Sequence, residues 1–330
     1  MMEQKGILVI GEVEEGRLSI LTKELLGGAR RIGDEANEKI GLLLIGEKAA
    51  ALAQQGISSG ADKVYVADNP ALNEYNPELY ISLVCKMCTE IKPALCLMGQ
   101  TDFGRDAAPR AAARLGSGLC MDCISVKFDA EKKSFAQTRP AYGGKALAEM
   151  GSASMQIDTI RPKSMEPLAA QDNRVGEVVR ISESDDPKTV KAKRTVFGKL
   201  DETGVRLEDA KVIVAGGGGL GGSEGFGLIK ELANLLKGSV GATRVPVDEH
   251  WVPLSMEIGQ TGKIVNPDLY IAVGISGAAQ HITGCINSKT IISINKDPEA
   301  NIFKISDFGL VADYKEVLPV LIEKLKAAGM

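Results

Sequence analysis

Apolar runs of strand length recur along this chain with helix-patterned segments between them, and that alternation limits the folds open to it. In the first half the runs are 6–12 (GILVIGE), 40–46 (IGLLLIG), 63–68 (KVYVAD) and 94–99 (ALCLMG), separated by 21–32, 49–55 and 77–92 and followed by the helical pattern 103–116. Strands apolar on both faces and joined by helices predict a parallel sheet covered on both sides. After Gly118 the segments 123–129, 131–150 and 152–162 read as antiparallel strands capping this first domain. A charged, alternating stretch between Pro167 and Asp209 is poor in large apolar residues, and the domain boundary is expected near Lys199. A second unit then repeats the pattern, with strands at 211–215, 241–247, 268–276, 290–297 and 309–313 and helices at 223–237 and 314–328. At 330 residues the chain exceeds what one core usually serves. The expected fold is α/β in two domains, 1–198 and 199–330, each a mostly parallel sheet flanked by helices, the second doubly wound.

Net charge is −4, which removes the electrostatic footprint of a nucleic-acid binder. No apolar run approaches the ~20 residues that span a bilayer, and the N-terminal segment has neither a basic region nor a small-residue cleavage site. The expected setting is the cytoplasm or an organelle matrix. Two C-x-x-C pairs, Cys85/Cys88 and Cys120/Cys123, could suggest zinc or redox chemistry. The first lies in an amphipathic helical run, so the cysteines are read as small core residues.

The chemistry-bearing signals concentrate in the second half. Gly216 to Gly222 follow a strand and precede a helix, and Gly216, Gly218 and Gly221 satisfy G-x-G-x-x-G. Such a loop lets backbone N–H groups approach a pyrophosphate. A dinucleotide fingerprint also wants an acidic residue at the end of the next strand, which here is read as ending in Thr243-Arg244-Val245-Pro246, so a nicotinamide dehydrogenase is the poorer reading. Three further segments fall at or after strand carboxyl ends, where open α/β sheets bind ligands: Gly259 to Lys263, Gly274 to His281 and Asn295 to Glu299.

The runs 203–217, 241–244, 258–284, 288–303 and 307–313 closely resemble the signature of electron-transfer flavoprotein α subunits, above all in QTGK, GISGAAQH and INKDPEANIF. The similarity extends more loosely through 104–116 and 139–146. It implies FAD in an extended pose on the C-terminal domain, against a β subunit that completes the heterodimer and carries AMP or a second FAD. The implied cofactor-binding residues are Gly218, Thr243, Arg244, Ile258, Gly259, Gln260, Thr261, Ser276, Gly277, Ala278, Ala279, Gln280, His281, Asn295, Asp313 and Tyr314, with no catalytic or metal-ligating residue. Arg244 and Gln260-Thr261 would border the isoalloxazine, with the Thr261 hydroxyl near N5. His281 would face the flavin O2, and Asn295 and Asp313 would hold the ADP portion. A cation or strong donor there favours the negative charge of reduced flavin.

Two positions depart from the family pattern: Gly218 stands where an arginine is usual, and Lys145 where asparagine is. The resemblance implies a carrier that accepts electrons from an acyl-CoA dehydrogenase or another flavin enzyme. The alternative is the α subunit of a bifurcating complex that couples NADH oxidation to ferredoxin and acyl-CoA reduction. The first domain has GEVEEGRLS where a glycine loop would follow its first strand, and is expected to be an empty, nucleotide-hydrolase-like support.

Overall fold

In a computed structural model of the chain, residues 5–14, 16–142, 146–151, 154–181, 190–191 and 206–329 are described. Two compact units emerge, Met1–Val196 and Phe197–Met330. The positions of Lys199 and Lys145 lie outside the described residues.

The N-terminal unit runs β1 (Ile7–Ile10), a short antiparallel hairpin of β2 (Val13–Glu14) and β3 (Arg17–Leu18), α1 (Ile20–Ala36), β4 (Ile40–Gly46), α2 (Ala53–Ser58) and β5 (Lys63–Asp68). It continues through α3 (Pro77–Ile91), β6 (Leu95–Gly99), α4 (Asp102–Leu115), β7 (Gly118–Cys123), β8 (Ser125–Asp129), β9 (Ser134–Ala141), β10 (Ala146–Gly151), β11 (Gln156–Ile160) and β12 (Glu177–Arg180). Helix starts are set by side-chain caps: Ser19, Asn76 and Thr101 each accept from a backbone N–H of the first turn. Asn37, Lys92 and Gly116 end the same helices in the left-handed conformation.

The main sheet has the order β12-β5-β4-β1-β6-β11-β7, and every pairing in it is parallel. One expectation is corrected here. The segment 152–162 contributes β11, a parallel strand seated inside the sheet, and only β8, β9 and β10 form the antiparallel layer. The charged stretch after Pro167 supplies the edge strand β12, in which Glu177, Val178 and Arg180 are exposed and Val179 is half-buried. Apolar residues fill both faces of the sheet, with Leu25, Leu26, Leu42 and Val64 in one core and Leu43, Leu83, Val84 and Met98 in the other. The cysteines take their places in these cores: Cys120 and Cys123 in the first, Cys88 and Cys96 in the second.

The C-terminal unit runs β13 (Val212–Gly216), α5 (Phe226–Leu235), β14 (Ser239–Ala242), α6 (Arg244–Asp248), β15 (Leu269–Val273), α7 (Ala279–Cys285), β16 (Ile291–Asn295), β17 (Phe308–Val311) and α8 (Tyr314–Ala327). Its sheet order is β14-β13-β15-β16-β17, again with parallel pairing throughout. Because β13 pairs with β14 on one side and β15 on the other, the crossovers reverse direction at β13/β15. That switch point is where open α/β sheets leave a crevice. The segment 241–247 is corrected in turn: the strand stops at Ala242, and Arg244–Asp248 is a helical turn.

Candidate functional site

All five strands of the C-terminal sheet end on the same edge, and nearly every anticipated cofactor residue lies on the connection leaving one of them. Gly218 follows β13, Thr243 and Arg244 follow β14, Ser276 to His281 follow β15, Asn295 ends β16, and Asp313 and Tyr314 follow β17. Ile258 to Thr261 are farther along the β14 connection, but the Ile258 N–H donates to the Ala242 carbonyl at 2.9 Å and the Gln260 N–H to the Gln280 carbonyl at 2.8 Å. These bonds return the segment to the sheet edge beside α7.

The connections are locked together by close backbone approach. A Cβ on Gly217 would stand 2.3 Å from the Gly274 carbonyl oxygen, and one on Gly277 would stand 2.2 Å from the Ile302 nitrogen. The Gly219 N–H donates to the Gly274 carbonyl at 2.9 Å. Glycine is required at these points because neighbouring backbones occupy the space of a side chain. Gly218 differs: it is exposed, and a Cβ there would meet Val245 Cγ1 at 3.2 Å. Packing therefore leaves room for the missing arginine after a small adjustment.

The anticipated residues divide into an exposed set and a supporting set. Gly218, Arg244, Gln260, Thr261, Ser276, Ala278, Ala279, Gln280 and Asp313 are exposed, and Thr243 and Asn295 are half-buried. Arg244 donates from Nε to Asp248 Oδ2 at 3.1 Å, one turn along α6, a surface pair that holds the side chain only weakly. The Thr261 hydroxyl donates to Glu257 Oε1 at 2.6 Å, leaving the Thr261 oxygen free to accept. Asp313 caps α8 by accepting from the Lys315 N–H at 2.9 Å.

Ile258, Gly259, Gly277, His281 and Tyr314 are buried. Tyr314 donates its hydroxyl to the Leu220 carbonyl at 2.8 Å, tying α8 to the glycine loop. Asn295 donates from Nδ2 to the Ile275 carbonyl at 2.8 Å, joining the connections after β15 and β16. Both act on the loops through their backbones, a role their positions in the sequence do not announce.

His281 departs most from expectation. Nδ1 is 2.8 Å from the Ile258 carbonyl oxygen and Nε2 is 3.0 Å from the Tyr270 hydroxyl. A carbonyl only accepts, so Nδ1 carries the proton and Nε2 accepts from Tyr270. Burial pushes the imidazole down to about 4, so it is neutral at physiological pH. The ring is thus no cation, and both its nitrogens are engaged inside the protein rather than turned to a flavin O2. Tyr270, fully buried on β15, is the partner that sequence reading missed; its alternation with apolar neighbours marks it only as core.

The exposed surface joins backbone amides, small residues, one arginine and a few hydroxyl and amide groups, a donor set suited to an extended nucleotide and its flavin ring. Among the described residues no helix is long and apolar enough to cross a membrane.

Comparison with known proteins agrees with this arrangement. Residues 7–186 match the electron transfer flavoprotein domain, and residues 206–286 match the electron transfer flavoprotein FAD-binding domain. The chain is 43% identical to the electron transfer flavoprotein subunit alpha of Thermoanaerobacterium thermosaccharolyticum, over 99% of both chains. It is 42% identical to that of Bacillus subtilis, over 98% of both. It is also 36% identical to the protein FixB of Azotobacter vinelandii, over 99% of this chain and 92% of the other. With two lobes matching two successive domains of one family and full-length identity above 40% to its members, this chain belongs to the electron transfer flavoprotein α subunits.

Proposed function

We propose that the chain holds one FAD across the carboxyl edge of β13 to β17, with a β subunit closing the open side, and carries electrons from a flavin dehydrogenase such as an acyl-CoA dehydrogenase to a downstream acceptor. The observation that carries the reading is that connections from five parallel strands, cross-tied by Tyr314, Asn295 and the Gly217–Gly274 approach, present one exposed polar edge. When bound, FAD supplies the redox couple. In the glycine loop the N–H groups of Gly217, Gly219, Leu220 and Gly221 donate to carbonyls of the protein, which leaves those of Gly218 and Gly222 for phosphate oxygens, while Ser276 and Ala278 to Gln280 border the ring and its side chain. Arg244 brings an exposed guanidinium to offset negative charge on the reduced ring, and the Thr261 oxygen accepts an N–H. Asn295 and Asp313 stand on the side of the adenosine portion. His281 contributes by fixing the Ile258 carbonyl, and with it the turn that carries Gln260 and Thr261.

The test is the flavin content of the chain co-purified with its β subunit. One FAD per heterodimer together with AMP supports the carrier, two FAD transfer support to a bifurcating complex, and no bound or reconstitutable flavin overturns the reading.

A further inference from the structure

The N-terminal unit contains a cavity of about 420 Å³ at the carboxyl ends of β1 and β4. Its floor is the backbone of Gly11 and Gly46, the residues that follow or end those strands. It therefore occupies the ligand-binding edge of this sheet, beside β1, where strand order turns back toward β6. Two kinds of side chain define its chemistry.

The first kind is aromatic. Only 4% of the chain is aromatic, yet Tyr75, Tyr80 and Phe103 all line this one cavity. Their rings pack edge to face at 5.1, 5.1 and 6.0 Å between centroids. Both phenol groups are committed to the protein, Tyr75 to Asp106 at 2.5 Å and Tyr80 to the Leu72 carbonyl at 2.7 Å. What these residues offer a ligand is ring surface, which suits a flat heterocycle.

The second kind is acidic. Glu12 follows β1, and its Oε1 accepts from the Thr101 hydroxyl at 3.0 Å, while its Oε2 has no hydrogen-bond partner among the described residues. Burial, assisted by the nearby Glu14 and Asp102 charges, pushes its carboxyl up to about 7 against the pull of the Thr101 bond. Glu47 stands directly after β4, with the Lys48 ammonium 3.6 Å from its Oε1 in a loose exposed pair. In doubly wound sheets an acidic residue at the end of the second strand accepts the hydroxyls of a ribose. The glycine-rich turn that would accompany it, to hold a pyrophosphate, is replaced by Glu12 and the β2–β3 hairpin. No described lysine, arginine or histidine lines the cavity. Glu47 and the part-ionised Glu12, with no cation in the lining, disfavour phosphate, and their oxygens accept hydrogen bonds from hydroxyl and amino groups.

We propose that this cavity is a binding site for a nucleoside-class ligand, a ribose diol joined to a flat amino-bearing heterocycle without phosphate. The site lies wholly in the N-terminal unit, so it stands or falls separately from the FAD reading.

The experiment is equilibrium dialysis of radiolabelled adenosine against the full chain purified with its β subunit, with AMP as competitor. Expected are one adenosine per α chain, competition by AMP weaker by at least ~10-fold, and affinity lowered at least ~10-fold by Glu47→Gln and by Glu12→Gln. Glu47 is exposed, so its substitution leaves the core intact, and an unchanged thermal transition of the N-terminal unit in the same samples verifies the fold of each variant. Adenosine binding that both variants leave unaltered places the site on the partner and overturns the proposal. So does AMP competing as well as adenosine, or no saturable binding up to about 1 mM.

Discussion

Asp158 is fully buried on β11, with Gln156 Nε2 donating to its Oδ1 at 2.9 Å and the Gln137 side chain beside it. Burial is the main cause that lifts its carboxyl from an ordinary 3.8 to about 8. The folded chain therefore binds a proton that the unfolded chain has released, and the associated stability is full below about pH 4 and is lost as pH rises through about 8. Asp158→Asn keeps the acceptor for Gln156 and removes the titration. It is expected to raise stability by ~5 kcal/mol at pH 8 and by less than ~1 kcal/mol at pH 4. Urea unfolding at the two pH values measures this, and equal gains at both would show that the carboxyl ionises freely in the fold. Gly218 offers a second substitution at this scale. Its φ is outside the left-handed range and the one close neighbour of an added Cβ is the exposed Val245 side chain, so Gly218→Arg adds a cation to the glycine loop without backbone strain once Val245 gives way slightly. FAD affinity is expected to rise about 10-fold, read from the flavin dissociation rate; an unchanged rate would mean that the loop's backbone already satisfies the phosphates.

Elements rather than residues hold the FAD edge in shape, and α8 contributes most visibly because the Tyr314 hydroxyl reaches across to the Leu220 carbonyl. Tyr314→Phe leaves that carbonyl without its donor in a buried place, at a cost of ~1–2 kcal/mol in stability. FAD affinity should fall severalfold with little change in far-ultraviolet dichroism; unaltered affinity would remove α8 from the account of the loop. The strands and their order of succession were legible in the sequence because each apolar run is a physical requirement of a sheet buried on both faces, as in 40–46 and 94–99. Loops at the strand ends were legible for the same reason, since glycine and proline mark where the period breaks. Three features were not. β12 is an edge strand whose outer residues need no apolar side chain, so its charged run hides it. The parallel direction of β11 depends on which neighbour a strand chooses, and that choice is nonlocal. The orientation of the His281 ring is set by the Tyr270 hydroxyl and the Ile258 carbonyl, distant in sequence and brought near by β15 and the α6 connection.

At the scale of the molecule, each unit owns its cores: the residues around Leu42 and Leu43 belong wholly to the first, and those around Phe226 and Tyr270 wholly to the second. Separate cores predict separable cooperative units. A ligand bound to the native form of one unit then stabilises that unit alone, by about 2.7 kcal/mol at a free concentration 100 times Kd. Scanning calorimetry of the full chain should resolve two transitions. Excess FAD should raise the one that belongs to the C-terminal unit by a few degrees and leave the other in place. Adenosine should do the reverse, because its cavity lies at the carboxyl ends of β1 and β4 in the first unit. Assigning each transition by its downward shift in Tyr314→Phe or its pH response in Asp158→Asn separates the two ligands' effects. A single transition moved equally by both would mean that the units melt as one cooperative body, and that ligand energy delivered to either lobe is felt by the whole chain.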